Sequence, residues 1–149
     1  MDKDFASNIA REAMEQGANC CQAILTAANQ VWNLNLPPEI IESAVYFREG
    51  MSSGCTCGAL VGLVLASGMI CTQRNIPADY ELPKRLHLRF KTEFRSSCCA
   101  VIRKKQSFLQ RVANKGCIDL TARSAAILVE EWEDHLGAGN QDICNYSNL

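Results

Sequence analysis

Gly54-Cys55-Thr56-Cys57-Gly58-Ala59-Leu60-Val61-Gly62 opens a run that stays apolar as far as Cys71. A Cys-x-Cys pair stands where a loop turns into a helix. Gly58, Gly62 and Ala66 then recur at intervals of four, which puts them on one helix face where another backbone can come close. The pattern predicts a buried central helix from Cys57 to about Cys71, starting at a cysteine site. The run is fifteen residues long and holds three glycines. A membrane span needs about 20 apolar residues, so no membrane crossing is expected.

Helical periodicity continues on both sides. Upstream, Phe5, Ile9 and Ala13 make a first stripe that ends near Gly17. A second helix starts after Asn19, with Cys20, Ile24, Ala28, Val31 and Trp32 inward. Pro37-Pro38 open a third, proline being tolerated in a first turn, with Ile40, Ile41, Ala44 and Val45 toward the core. Gly50 to Gly54 is a loop. Downstream, a helix from about Leu82 carries Leu86, Phe90 and Phe94. Ser96-Ser97 cap a short piece around Cys99, Ile102 and Arg103. Phe108, Leu109 and Val112 form a further apolar cluster, ending at Asn114-Lys115-Gly116. The last helix spans about Asp119 to Leu136 and buries Ile127, Leu128 and Trp132; residues 137–149 read as a loosely held tail. Hairpin turns and long apolar/polar alternation are missing. The expectation is an all-α fold: an irregular bundle of about six helices around a buried central helix. It forms one cysteine-rich domain over residues 1–149 with its core at about 5–136.

The formal net charge of −1 argues against a nucleic-acid binder. The N-terminal stretch has no apolar run of the secretory kind, which points to a soluble, cytoplasmic protein. A chain of this length buries roughly 70% of its unfolded surface and needs no disulfide staples. Nine cysteines in 149 residues is nevertheless a high count. In a reducing compartment they stay as thiols and point to metal binding or redox chemistry. The blander alternative is that they fill the core as small hydrophobes.

Their placement is informative. Cys20 follows Asn19, a good N-cap. Cys57 follows the Gly54 loop, Cys98 and Cys99 follow Ser96-Ser97, and Cys117 precedes Asp119. Four predicted helix starts thus each carry a cysteine. A helix N-terminus offers unpaired N–H groups and partial positive charge, which lower a thiol pKa and suit an anionic cluster. If the four starts converge, they form a thiolate pocket. No Cys-x-x-Cys pair exists, so a zinc ribbon or thioredoxin-type pair is absent.

Four pieces of sequence carry a resemblance. Gly17-Ala18-Asn19-Cys20-Cys21-Gln22-Ala23 and Cys57-Gly58-Ala59-Leu60-Val61-Gly62 are followed in order by Cys99 and Cys117. From about Ala13 to Trp132 the chain resembles the redox-active family named for a C / CGAxxG / C / C cysteine pattern (C_GCAxxG_C_C). The resemblance implies a prosthetic group, an iron–sulfur cluster of unspecified type, with Cys20, Cys57, Cys99 and Cys117 as its ligands. Cys21, Cys55 and Cys98 lie beside the matching positions and are secondary candidates; Cys71 and Cys144 are read as structural or incidental. Members often have a glycine-rich loop before the central motif. Here Phe47-Arg48-Glu49-Gly50-Met51-Ser52-Ser53 is poorer in glycine.

Electron transfer through such a cluster is the leading expectation, and it leaves open whether the chain is itself an enzyme or an accessory to an oxidoreductase. A structural zinc site on the same four cysteines is the alternative. A metal-free thiol protein working through Cys20-Cys21 or Cys98-Cys99 ranks third. Ten of the fifteen Lys and Arg lie between Lys84 and Lys115, against one acid, Glu93. This run could steer an acidic redox partner, or it could be a solvated face paired with Glu130, Glu131, Glu133 and Asp134. The small-residue face of the central helix would also allow a homodimer. His87 reads as a surface residue and His135 as a packing one, neither with an assigned carboxylate partner.

Overall fold

The computed structural model describes residues 1–142, and of residues 138–142 the backbone alone. The fold is all-α, as the periodicity predicts. The long helices are α1 (Lys3–Glu15), α2 (Cys20–Trp32), α4 (Gly58–Gln73), α5 (Glu81–Phe94) and α8 (Lys115–Asp142). The short ones are α3 (Pro38–Glu42), α6 (Cys99–Lys104) and α7 (Phe108–Arg111). Among the described residues the only β-type pairing is an isolated bridge between Thr56 and Cys98. No helix there is long and apolar enough to cross a membrane.

Local chemistry sets the helix starts. Asp2 caps α1 by accepting from the N–H groups of Asp4 and Phe5. This phase turns Ala6, Ile9, Ala10 and Met14 inward and leaves Phe5, expected in the core, 50% exposed. Asn19 and Gln22 form a capping box at α2. The buried Asn19 amide also donates to the carbonyls of Ala44 at 2.9 Å and Val45 at 3.1 Å. That tie breaks the register of the third segment, which turns from α3 into a 3-10 helix (Ser43–Phe47). Ala44 is buried there, but Ile40 and Val45 are exposed.

α8 runs along α1 and also touches α2, α4 and α5. Trp132 from α8 meets Trp32 from α2 edge-on, with ring centroids 6.3 Å apart. The helix starts at Lys115, ahead of Asp119, because positive φ at Ala113 and Asn114 breaks the chain between α7 and α8. It also continues through Gly137 to Asp142, beyond the expected end at Leu136. Residues 143–149, the rest of the expected tail, and Cys144 within them lie outside the described residues.

The small-residue face of α4 packs on α2. A Cβ at Gly62 would stand 2.8 Å from Ile24 Cβ, and one at Gly58 2.9 Å from the Phe47 carbonyl oxygen. Glycine is needed at both because the backbones come this close. The face is therefore covered within the chain and does not supply the dimer contact expected of it. On the opposite side of α4, Val64 and Leu65 are exposed.

Candidate functional site

Cys57 is the N-cap of α4 and Cys98 that of α6, where the sequence pattern had placed Ser96-Ser97; Ser96 Oγ instead accepts from the Cys98 N–H at 3.0 Å. The loops before these helices are joined by a backbone bridge. Cys57 N–H donates to the Ser97 carbonyl at 2.8 Å, and Cys99 N–H to the Cys55 carbonyl at 2.6 Å. Cys20 enters from the first turn of α2 and Cys117 from the first turn of α8.

A cavity of about 380 Å³ lies among these ends, lined by Cys20, Cys99 and Cys117. Cys57 is buried outside the lining, but it feels the charge of the same group: its pKa responds to Cys20 and Cys99, that of Cys20 to Cys117 and Cys99, and that of Cys99 to Cys117. The four helix starts do converge. Among the described residues, however, no three His, Cys, Asp or Glu side chains lie close enough to hold a metal ion together.

The secondary candidates point elsewhere. Cys21 is fully buried against α4, its backbone N 3.4 Å from where a Gly58 Cβ would stand. Cys98 Sγ donates to the Gly54 carbonyl at 3.2 Å. Cys55 is exposed, with its Sγ 4.0 Å from Thr56 Oγ1. Adjacent residues of a helix do not share a face, so one member of each vicinal pair faces the cavity and the other does not. Cys71 lies near the far end of α4, where burial and the nearby Asp79 raise its pKa.

The expected lowering of the thiol pKa values is overturned. Burial pushes Cys20 up to about 11 and Cys57 up to about 12, with neighbouring cysteines adding to it. Burial and Cys20 likewise push Cys21 to about 12, and Cys99 is raised. The Thr121 hydroxyl opposes the rise at Cys20, and the N–H groups of Ala59 and Leu60 oppose it at Cys57 without making a full cap bond. Desolvation of the thiolate outweighs the helix ends.

Charged side chains that the cysteine spacing did not reveal complete the lining: Arg48, Arg103, Arg111 and Glu49. Arg48 is fixed by donating to the Gly17 carbonyl at 2.9 Å, and Arg103 pairs with Glu49 at 3.1 Å. Arg103 also pulls the Cys99 pKa down. The basic run was the sequence signal for Arg103 and Arg111; Arg48 and Glu49 stand in the stretch before the central motif, Phe47 to Ser53. The loop that carries Glu49 is left-handed over four successive residues, with φ of 54° at Glu49, 62° at Gly50, 59° at Met51 and 55° at Ser52. Non-glycine residues rarely adopt this conformation, and such strain gathers at functional sites.

The histidines lie away from the cavity lining. His87 is exposed. His135 packs on Trp132 with ring centroids 5.6 Å apart, and its Nδ1 is 3.4 Å from Asp79, the carboxylate partner that the sequence did not assign.

A model of the family described as "Putative redox-active protein (C_GCAxxG_C_C)" matches residues 18–131, most of the chain. The pattern in that description has the cysteine directly before the alanine; here Gly58 stands between Cys57 and Ala59. The tight contact at Gly58 leaves no room for a side chain there, so the thiol sits at residue 57. No curated protein and no solved structure matches the chain.

Proposed function

This chain belongs to the C_GCAxxG_C_C family, and on that premise we propose an electron-transfer protein that holds an iron–sulfur cluster on Cys20, Cys57, Cys99 and Cys117. The observation that carries this reading is the convergence of three thiols, from α2, α6 and α8, on one cavity edged by arginines, with the Cys57 thiol of α4 buried beside them. Thiolates are the usual ligands of such clusters. When bound, the group would supply one-electron transfer.

The residues around it have definable roles. Burial keeps Cys20 and Cys57 protonated at neutral pH, so loading expels protons. Arg48, Arg103 and the N–H groups of Ala59 and Leu60 then offset the thiolate charge. The same burial weighs against a metal-free thiol protein, which needs a lowered pKa and an accessible sulfur.

The test is chemical. Protein purified without oxygen is assayed for iron, zinc and acid-labile sulfide, and its visible spectrum recorded. Iron matched by sulfide, with broad absorption, supports the proposal. A colourless protein with stoichiometric zinc would make the site structural.

A further inference from the structure

The sequence pattern groups Phe108, Leu109 and Val112 as an apolar cluster. In the structure they are 80%, 75% and 44% exposed. They are nonetheless held in a defined turn: Ser107 and Gln110 close a capping box around α7. An ordered turn that presents a phenylalanine and a leucine to solvent is a contact waiting for a partner.

The charge around it says what kind. The basic run divides in two. In its first half Lys84 pairs with Glu81, Arg85 with Glu131, and Arg89 with Glu130 and Glu131, which leaves Lys91 and Arg95 outside the ion pairs among the described residues. In the second half Lys104, Lys105, Arg111 and Lys115 are exposed, and among the described residues none of them is in an ion pair. A cleft of about 340 Å³ is lined by Arg103, Lys104, Gln106, Arg111 and Asn114, with no carboxylate. Arg103, Arg111 and Asn114 also line the thiol cavity. The Gln106 amide donates to Cys117 Sγ at 3.6 Å.

We propose that α6, α7 and the turn leading into α8 form the docking surface for an acidic electron-carrier protein with an apolar centre and a carboxylate rim. The rim would seat on Lys104, Lys105, Arg111 and Lys115, and the centre on Phe108 and Leu109. Its role in electron transfer rests on the function proposed above; the docking itself does not. The arrangement suits a small, transient redox interface, steered by charge and centred on aromatic and aliphatic contacts. A lipid surface fits less well, because α7 has four residues and is too short for an amphipathic membrane helix.

The probe is a plant-type [2Fe–2S] ferredoxin, an acidic carrier, titrated into the isotope-labelled full-length chain and followed by nuclear magnetic resonance. Shifts confined to residues 103–115 that fade with added salt are expected. Phe108→Ser/Leu109→Ser and Lys104→Glu/Lys105→Glu should each weaken binding roughly tenfold or more, with unchanged circular dichroism. No binding, shifts elsewhere, or wild-type affinity in both variants would overturn the proposal. So would binding to phosphatidylserine-containing vesicles without binding to ferredoxin. Iron and sulfide assays on the same samples separate the claims: docking kept without a cluster fails the cofactor reading alone, and a cluster kept without docking fails this one.

Discussion

Cys99 donates its backbone N–H to the carbonyl oxygen of Cys55 at 2.6 Å. With the Cys57-to-Ser97 bond beside it, this bridge ties the loop before α4 to the loop before α6. Two thiols distant in sequence are thereby held near each other by main-chain bonds. Asn19 makes a comparable tie from α2 to the carbonyls of Ala44 and Val45. Backbone bonds and caps thus hold the cysteine-bearing helix starts together.

If these thiols are the ligands, single substitutions should sort cleanly. Cys20→Ser or Cys57→Ser should lose most of the iron and labile sulfide per chain. Cys71→Ser, at the far end of α4, should keep the wild-type content. Loss of iron in Cys71→Ser with retention in Cys57→Ser would contradict the ligand assignment.

The α2–α4 contact makes two glycines of one helix behave oppositely. Gly62→Ala forces a methyl group to within 2.8 Å of Ile24 Cβ and should cost about 1–3 kcal/mol of stability by overpacking. Gly68→Ala meets nothing within 4 Å and should gain about 0.5–1 kcal/mol from helix propensity. Urea unfolding of the two variants measures both signs.

The left-handed loop gives a third expectation. Met51 is exposed and sits at φ 59°. A left-handed backbone costs a non-glycine residue roughly 1–2 kcal/mol, more than the entropy glycine loses on folding. Met51→Gly should therefore stabilise the protein by about 0.5–1 kcal/mol, read as a higher urea midpoint. A lower midpoint would mean the side chain contributes more than the strain removes.

Glu130 supplies a pH-dependent term. Partial burial pushes its carboxyl up, but bonds from Arg123 and Lys3 and the charge of Arg89 outweigh that, and its pKa is lowered from 4.5. A depressed folded-state value means the contribution is complete above 4.5 and drains away as pH falls through the lower folded value. Glu130→Gln should cost about 1–2 kcal/mol at pH 7, with the gap to wild type closing under acid and narrowing in high salt. A gap independent of pH would assign the effect to packing.

Much of this was legible in the chain. Asn19 and Gln22 announce the start of α2, and the spacing of Gly58, Gly62 and Ala66 announces a face made for close approach. What covers that face, α2 and not a second copy, is a tertiary fact. Apolar clustering in Phe108-Leu109-x-x-Val112 says nothing of inside or outside when the helix is a single turn. Arg48 and Asp79 lie far in sequence from the side chains they serve. The thiol pKa values were misjudged because a helix end is visible in sequence, whereas the depth of burial that outweighs it is not.

The most direct test of the central claim is electron paramagnetic resonance of anaerobically purified protein before and after reduction with dithionite. The account predicts a reversible cluster signal that scales with iron and disappears in Cys57→Ser. No signal in either state, from protein carrying one zinc per chain, would contradict it.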